Sequence, residues 1–198
     1  IVVASGANLD FTDEDITASE AALRSCDILL MQLEIPVPTV LKAARIAHEA
    51  GAFVVLNPAP YAELPEEIFK YISLFIPNET ELASFSGMPV TDKESAAAAA
   101  KVLFGKGVGN MIVTMGSKGS LILDGGEPQF VLARKVKAVD TTGAGDTYCG
   151  SICVALSECK TLKEAAEFAS AVSALSVTKM GAQTAIPTRA EAEAFMAQ

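Results

Sequence analysis

The chain has 198 residues, 51% hydrophobic and 20% charged, with no Trp. A chain of that length buries roughly 70% of its unfolded surface, enough for a core without disulfide or metal staples, and the composition excludes a disordered chain, a collagen-like repeat and a cysteine-rich scaffold. Lys and Arg number 15 against 24 Asp and Glu, a formal net charge of −9, which argues against a broad nucleic-acid or anionic-membrane surface but not against an anion held locally by backbone N–H groups.

Short β-branched or Leu-rich runs alternate with longer helical stretches along the chain. Residues 1–3 read as a strand, 12–25 as a helix capped by Thr12 or Asp13, 28–33 as a strand, and 38–50 as a helix closed by Gly51. Residues 53–56 form an apolar strand leaving through Asn57-Pro58-Ala59-Pro60, a rigid non-helical exit. A short strand at 74–76 runs into Pro77-Asn78-Glu79-Thr80-Glu81, which opens a helix to about Ser86. Residues 92–104 are Ala-rich and helical, and Gly105, Gly107 and Gly109 end them. Strands follow at 111–115, 120–123 and 130–133, and helices at 147–157, 162–178 and 188–196. Apolar strands separated by helices imply a mostly parallel sheet covered on both faces by right-handed crossovers, here as one α/β domain over residues 1–198.

No signal peptide is visible, and no apolar stretch reaches the 18 residues of a membrane span. Cys26, Cys149, Cys153 and Cys159 lack a CxxC pair, His48 is the sole histidine, and zinc-ligand spacing is missing. The thiols are expected to be buried and the setting to be a reducing cytoplasm, which makes the glycosylation pattern Asn78-Glu79-Thr80 accidental. The chain starts at Ile1 on an apolar run, so the fold is expected to begin upstream of it.

In parallel α/β sheets, ligands bind beyond the carboxyl ends of the strands. Five loops there carry informative residues: Glu34, Asn57 to Pro60, Asn78 to Glu81, Thr114 to Gly119, and Asp140 to Asp146. In Asp140-Thr141-Thr142-Gly143-Ala144-Gly145-Asp146-Thr147, two glycines at a helix start let the backbone approach a ligand and aim amides at it. That is an anion hole for a phosphoryl group, and Asp146, ionised in the first turn, could accept a proton from an alcohol. The competing reading is a Gly-rich turn with Asp146 as an ordinary helix-start residue. Likewise Asn78 and Glu81 have capping-box spacing, Glu34 could be a solvated strand end, and Lys118 a turn residue. No GxxxxGK[ST] loop exists, Gly105 to Gly109 precedes a strand rather than following one, and Ser157-Glu158-Cys159-Lys160 fits S-x-x-K by chance.

The motif from Asp140 to Thr147 resembles the C-terminal signature of PfkB-type carbohydrate kinases, and Pro77-Asn78-Glu79-Thr80-Glu81 resembles their Asn-x-x-Glu motif. Gln32-Leu33-Glu34, Asn57-Pro58-Ala59-Pro60, and Gly181-Ala182-Gln183 with Ile186-Pro187 point to the ribokinase branch, and the resemblance spans nearly all 198 residues as the C-terminal two-thirds of such a kinase. It implies a three-layer αβα, Rossmann-like fold lacking the N-terminal strands and the β-lid, which often forms a homodimer interface. It implies ATP-dependent phosphorylation of a sugar's primary hydroxyl, most nearly ribose, with fructose, a nucleoside or a deoxy-gluconate as other acceptors, or a silent nucleotide-binding module. Asp146 would be the base and would also contact the sugar, as would Glu34, with Gly143, Ala144 and Gly145 as the anion hole. Asn78 and Glu81 would organise magnesium and the phosphates, Thr114, Met115, Gly116, Ser117, Lys118 and Gly119 would line the ATP site, and Ser170 would meet the adenine side. Asp140, Thr142, Ser176, Lys179, Gly181 and Ala185 match ligand positions of an activating potassium ion, mostly through carbonyls.

Overall fold

The structure, a computed structural model, describes residues 4–197; the strand expected at residues 1–3 lies outside them. Among the described residues there are six strands: β1 (Ile28–Met31), β2 (Phe53–Leu56), β3 (Leu74–Phe75), β4 (Met111–Thr114), β5 (Ser120–Leu123) and β6 (Gln129–Val131). Eight α-helices accompany them: α1 (Asp13–Ala18), α2 (Glu20–Ser25), α3 (Val37–Glu49), α4 (Glu79–Ser86), α5 (Lys93–Gly105), α6 (Ala144–Ser157), α7 (Leu162–Ser176) and α8 (Arg189–Met196). The strands occur in the order β1-β2-β3-β4-β5-β6 in a mixed sheet. The chain divides within β4 into two units, Ile1–Met111 and Ile112–Gln198.

In the first unit β1, β2 and β3 pair in parallel, and Phe75 continues the parallel pairing onto Met111. The apolar runs are buried as a two-sided parallel sheet requires: Val54, Val55, Leu56, Leu74, Phe75 and Ile76 are inaccessible. α3 covers them with Val40, Ala44 and Ala47, while Phe69 and Phe85 meet the Phe75 ring edge-on at 5.7 and 5.5 Å. One expectation changes here. The sequence reads as a single helix over residues 12–25, but Ser19 interrupts it: its N–H closes α1 on Asp15 and its carbonyl accepts from Ala22 and Leu23 to open α2. The break lies in the backbone, since the Ser19 side chain makes no cap bond. Thr12 is the cap, in a reciprocal box with Asp15.

In the second unit β5 and β6 pair antiparallel, Ser120 opposite Val131 and Ile122 opposite Gln129. The turn before β5 depends on Gly119, whose φ is +100°. A Cβ there would run into the Val131 carbonyl and fall 2.8 Å from the Ala133 nitrogen, so the backbones meet where no side chain fits. α6 and α7 pack through small residues: Ala155, Ala165, Ala166 and Ala169 are fully buried beside Ile152. Arg189 fixes α8, donating to both Glu158 oxygens at 2.7 and 3.0 Å and to Glu193 at 2.6 Å, with its guanidinium 5.1 Å from the Phe168 ring. So exposed a cluster sets register more than stability.

The thiols correct another expectation. Cys149 is buried, but Cys26 and Cys153 are half-buried and Cys159 is exposed, just past the end of α6 with φ at +61°. Burial pushes the Cys153 thiol up to about 11, so it stays protonated at neutral pH. No helix among the described residues is long and apolar enough to cross a membrane.

Tyr148 on α6 is buried and donates its hydroxyl to Ser120 Oγ at 2.9 Å. Ser120→Ala strands that phenol in an apolar core, where an unpaired hydroxyl costs about 1–3 kcal/mol. Urea unfolding is expected to show a midpoint lowered accordingly with an unchanged m-value.

Candidate active site

The residues singled out in the sequence fall in both units. In the first, β1 leads to Glu34, which is exposed, and β2 leads to Asn57. The strand ladder extends into these loops, with the Asn57 N–H on the Met31 carbonyl and the Leu33 N–H on the Ala59 carbonyl, both at 2.9 Å. The Asn57 amide also donates to the Ile76 carbonyl at 2.7 Å, tying the loop after β2 to the end of β3.

Two residues later Asn78 caps α4. Its Oδ1 accepts the Glu81 N–H at 2.9 Å, while its N–H and Nδ2 donate to the two Glu81 oxygens, each at 2.8 Å. The capping box and the Asn-x-x-Glu motif are thus one contact. The carboxylate is only 6% exposed, unusual for an acid in a first helical turn. Burial pushes the Glu81 carboxyl up and outweighs the Asn78 hydrogen bonds that pull it down. Each carboxylate oxygen keeps an acceptor lone pair beyond the bond from Asn78. No three His, Cys, Asp or Glu side chains cluster as a metal cage among the described residues. A single organised carboxylate fits magnesium, which keeps waters and substrate phosphates in its shell.

In the second unit β4 ends at half-buried Thr114, buried Met115 follows, and Gly116, Ser117 and Lys118 form an exposed 3₁₀ turn closed by Gly119. The segment from Asp140 to Asp146 leads into α6, which begins at Ala144, earlier than residue 147 where the sequence reading starts it. Gly143 is the cap, left-handed at φ +73°, and a Cβ on it would touch Ala182 at 3.4 Å. Around Gly145 a Cβ would meet nothing within 4 Å. The space there is open, and a helix start directs N–H groups without intrahelical partners outward. The Ala144 N–H is partly engaged, donating to the Thr141 carbonyl at 3.2 Å. Asp146 lies in the first turn and is exposed.

Asp140 holds this loop in shape. One carboxylate oxygen accepts from the Thr142 N–H at 3.0 Å and its hydroxyl at 2.7 Å, the other from the Gly181 N–H at 2.9 Å. The two-residue side-chain turn was available from Asp-x-Thr in sequence; the reach to Gly181 was not. The Asp140 and Val139 N–H groups donate to the Val177 carbonyl at 3.2 and 2.7 Å, so the structure brings Asp140, Thr142 and Gly181 together with the end of α7. Ser176 and Ala185 are buried nearby in sequence, their backbones taken up in local turns, and the Lys179 side chain instead pairs with Glu191 at 3.0 Å. The Thr188 N–H and then Lys179 draw Glu191 down to about 2. A carboxylate with hydroxyl and carbonyl oxygens about it is a donor set suited to a hard cation. Ser170, the expected adenine-side contact, is half-buried and donates to the Leu132 carbonyl at 3.3 Å.

The pattern of the pfkB family carbohydrate kinases matches residues 1–189. A ribokinase of Haemophilus influenzae is 44% identical over 196 residues, covering 99% of this chain and 64% of that protein. A deoxyribokinase of Salmonella typhi is 38% identical over 189 residues, covering 95% of this chain and 62% of that protein. The solved structure of Arabidopsis thaliana ribokinase complexed with ribose and ATP matches with a TM-score of 0.91 at 32% identity, over 98% of this chain and 64% of that one. The chain therefore spans less than two thirds of the length of these relatives, and the mostly parallel α/β fold is the one they share.

Hydrogen bonds from Thr142 and Gly181 hold the Asp140 carboxyl below its usual range. A lowered acid contributes stability above its unfolded value and loses it as pH falls through the lowered one. The Asp140–Gly181 strap is therefore expected intact at neutral pH and released only in acid. Amide exchange at Gly181, followed from pH 7 downward after correction for intrinsic rates, should show protection lost below the ordinary carboxylate range. Asp140→Asn should show reduced protection already at pH 7.

Proposed function

The chain belongs to the pfkB family of carbohydrate kinases, and on that premise we propose that it transfers the γ-phosphoryl group of ATP to the primary hydroxyl of ribose, yielding ribose 5-phosphate and ADP. The observation that carries this reading is the start of α6: a left-handed Gly143 cap, open space at Gly145, and an exposed Asp146 in the same turn.

Asp146 accepts the proton of the sugar hydroxyl as its oxygen bonds to the γ-phosphorus and the bond to the bridging oxygen of ADP breaks. N–H groups at Gly143, Ala144 and Gly145, backed by the helix dipole, stabilise charge on the transferring group. Asn78 and Glu81 would hold magnesium, which when bound would neutralise charge on the nucleotide phosphates. Thr114 to Gly119 and Ser170 receive the nucleotide, and Glu34 grips sugar hydroxyls. Asp140, Thr142, Ser176, Lys179, Gly181 and Ala185 would hold potassium, and the pinned Asp140 carboxylate supports a site for a hard cation there. The same reading sets the reaction in the cytoplasm, where ATP is the phosphoryl donor. A second sugar is favoured by one specific observation, the deoxyribokinase at 38% identity: 2-deoxyribose presents the same primary hydroxyl.

ADP release measured with ribose, 2-deoxyribose, fructose and nucleosides, with and without potassium, tests this. Turnover on a pentose is expected, raised by potassium over sodium, with Asp146→Asn lowering kcat by about 10²- to 10⁴-fold while nucleotide binding persists. Turnover unchanged in Asp146→Asn would overturn the base. ATP bound without turnover on any sugar would make the chain a nucleotide-binding module.

A further inference from the structure

We propose that Ser173, on α7, is a positioning residue for the phosphate-binding first turn of α6, a claim that rests on the kinase reading of that turn. Ser173 Oγ donates to the Ala144 carbonyl at 3.0 Å, and Ala144 is the first residue of α6. Within an α-helix that carbonyl already receives the N–H four residues on, here Tyr148. Ser173 adds a second donor from a neighbouring helix, at the one turn that must stay in shape for its N–H groups to meet an anion.

The turn needs such a hold. Gly143 sits in the left-handed region and Gly145 has nothing within 4 Å of where a side chain would begin, so neither residue supplies packing to resist motion. Above it, α7 offers a succession of hydrogen bonds along one face. Ser170 donates to the Leu132 carbonyl at 3.3 Å, Ser173 to Ala144, and the Val177 carbonyl accepts from Val139 and Asp140. Positions three and four apart share a helix face, so the chain from the end of β6 to the start of α6 is referenced to one rigid element. Ser173 is the member of that series that touches the first turn itself. Most of α7 is alanine where it is buried, at 165, 166, 169 and 171. A serine lowers helix propensity relative to alanine, and its bond to Ala144 accounts for its presence there.

The test compares Ser173→Ala and Ser173→Thr with the parent chain. Ser157→Ala serves as a matched control, since that hydroxyl also donates to a helical carbonyl, Val154, at the opposite end of α6. The readouts are amide exchange at Thr147 and Tyr148, kcat and KM for ATP and pentose, and the melting temperature. Ser173→Ala is expected to speed exchange at both amides and lower kcat, each by about 3- to 10-fold, the range one neutral hydrogen bond supports. KM for the sugar should hold, Ser173→Thr should restore both values, and Ser157→Ala should change neither. Unaltered exchange and kcat in Ser173→Ala would overturn the proposal. So would a lowered melting temperature with kcat per folded molecule intact, the mark of a purely structural serine. If the parent turns over no pentose, the kinase reading falls and the positioning role with it, while the exchange result still decides whether Ser173 fastens the turn.

Discussion

The Asp140 carboxylate is the contact on which the second unit's loops depend. Its two oxygens accept three hydrogen bonds, two from Thr142 and one from Gly181. Those bonds convert two stretches 41 residues apart in sequence into one structure, with Ala182 lying 3.4 Å from where a Cβ on the left-handed Gly143 would stand. A charge-assisted bond is stronger than a neutral one, and here it substitutes for the apolar packing that glycine-rich loops lack. Without it, the loop leading to Gly143 would lose its tie to Gly181.

On the proposed reading, a chain carrying −9 overall would have to take up a polyphosphate against its average field. The means it would use are short-range. Backbone N–H groups and the dipole of α6 act within a few ångströms, where screening by solvent and salt is least effective. On the same reading Glu81 would act in the opposite sense: a single carboxylate, buried and oriented by Asn78, would be offered to a cation that arrives with its own ligands. Local geometry, rather than net charge, sets what this surface accepts.

Much of this was legible in the sequence because it is written in short-range patterns. β2 and β5 fall on the runs read at 53–56 and 120–123, and Thr12 stands one residue before α1 as a cap whose partner Asp15 lies three residues on. Asn78 and Glu81 were visible both as a box and as a motif, and the structure shows the two to be one contact. What could not be read were the meetings between distant residues. Ser120 and Tyr148 are 28 apart, Ala144 and Ser173 are 29 apart, and no periodicity announces either pair. The break at Ser19 escaped for a different reason: a serine in an otherwise helical stretch is tolerated more often than not, and only the bonds it makes distinguish the cases. Exposure of Cys159 escaped although the helix end was read correctly, since α6 ends at Ser157 as expected and what covers the residues beyond it is settled by packing alone.

The turn at Gly119 carries a consequence for how this sequence can drift. Gly116, Ser117 and Lys118 face solvent, so packing alone tolerates other residues at 117 and 118, where only the nucleotide proposed for this turn would select among them. One position further on, tolerance should vanish, because the β6 backbone occupies the volume every other amino acid needs. Surface loops are ordinarily where insertions and substitutions accumulate. This one combines the permissiveness of a loop and the intolerance of a core within a single step of the chain, so a sequence profile averaged over the segment would conceal both.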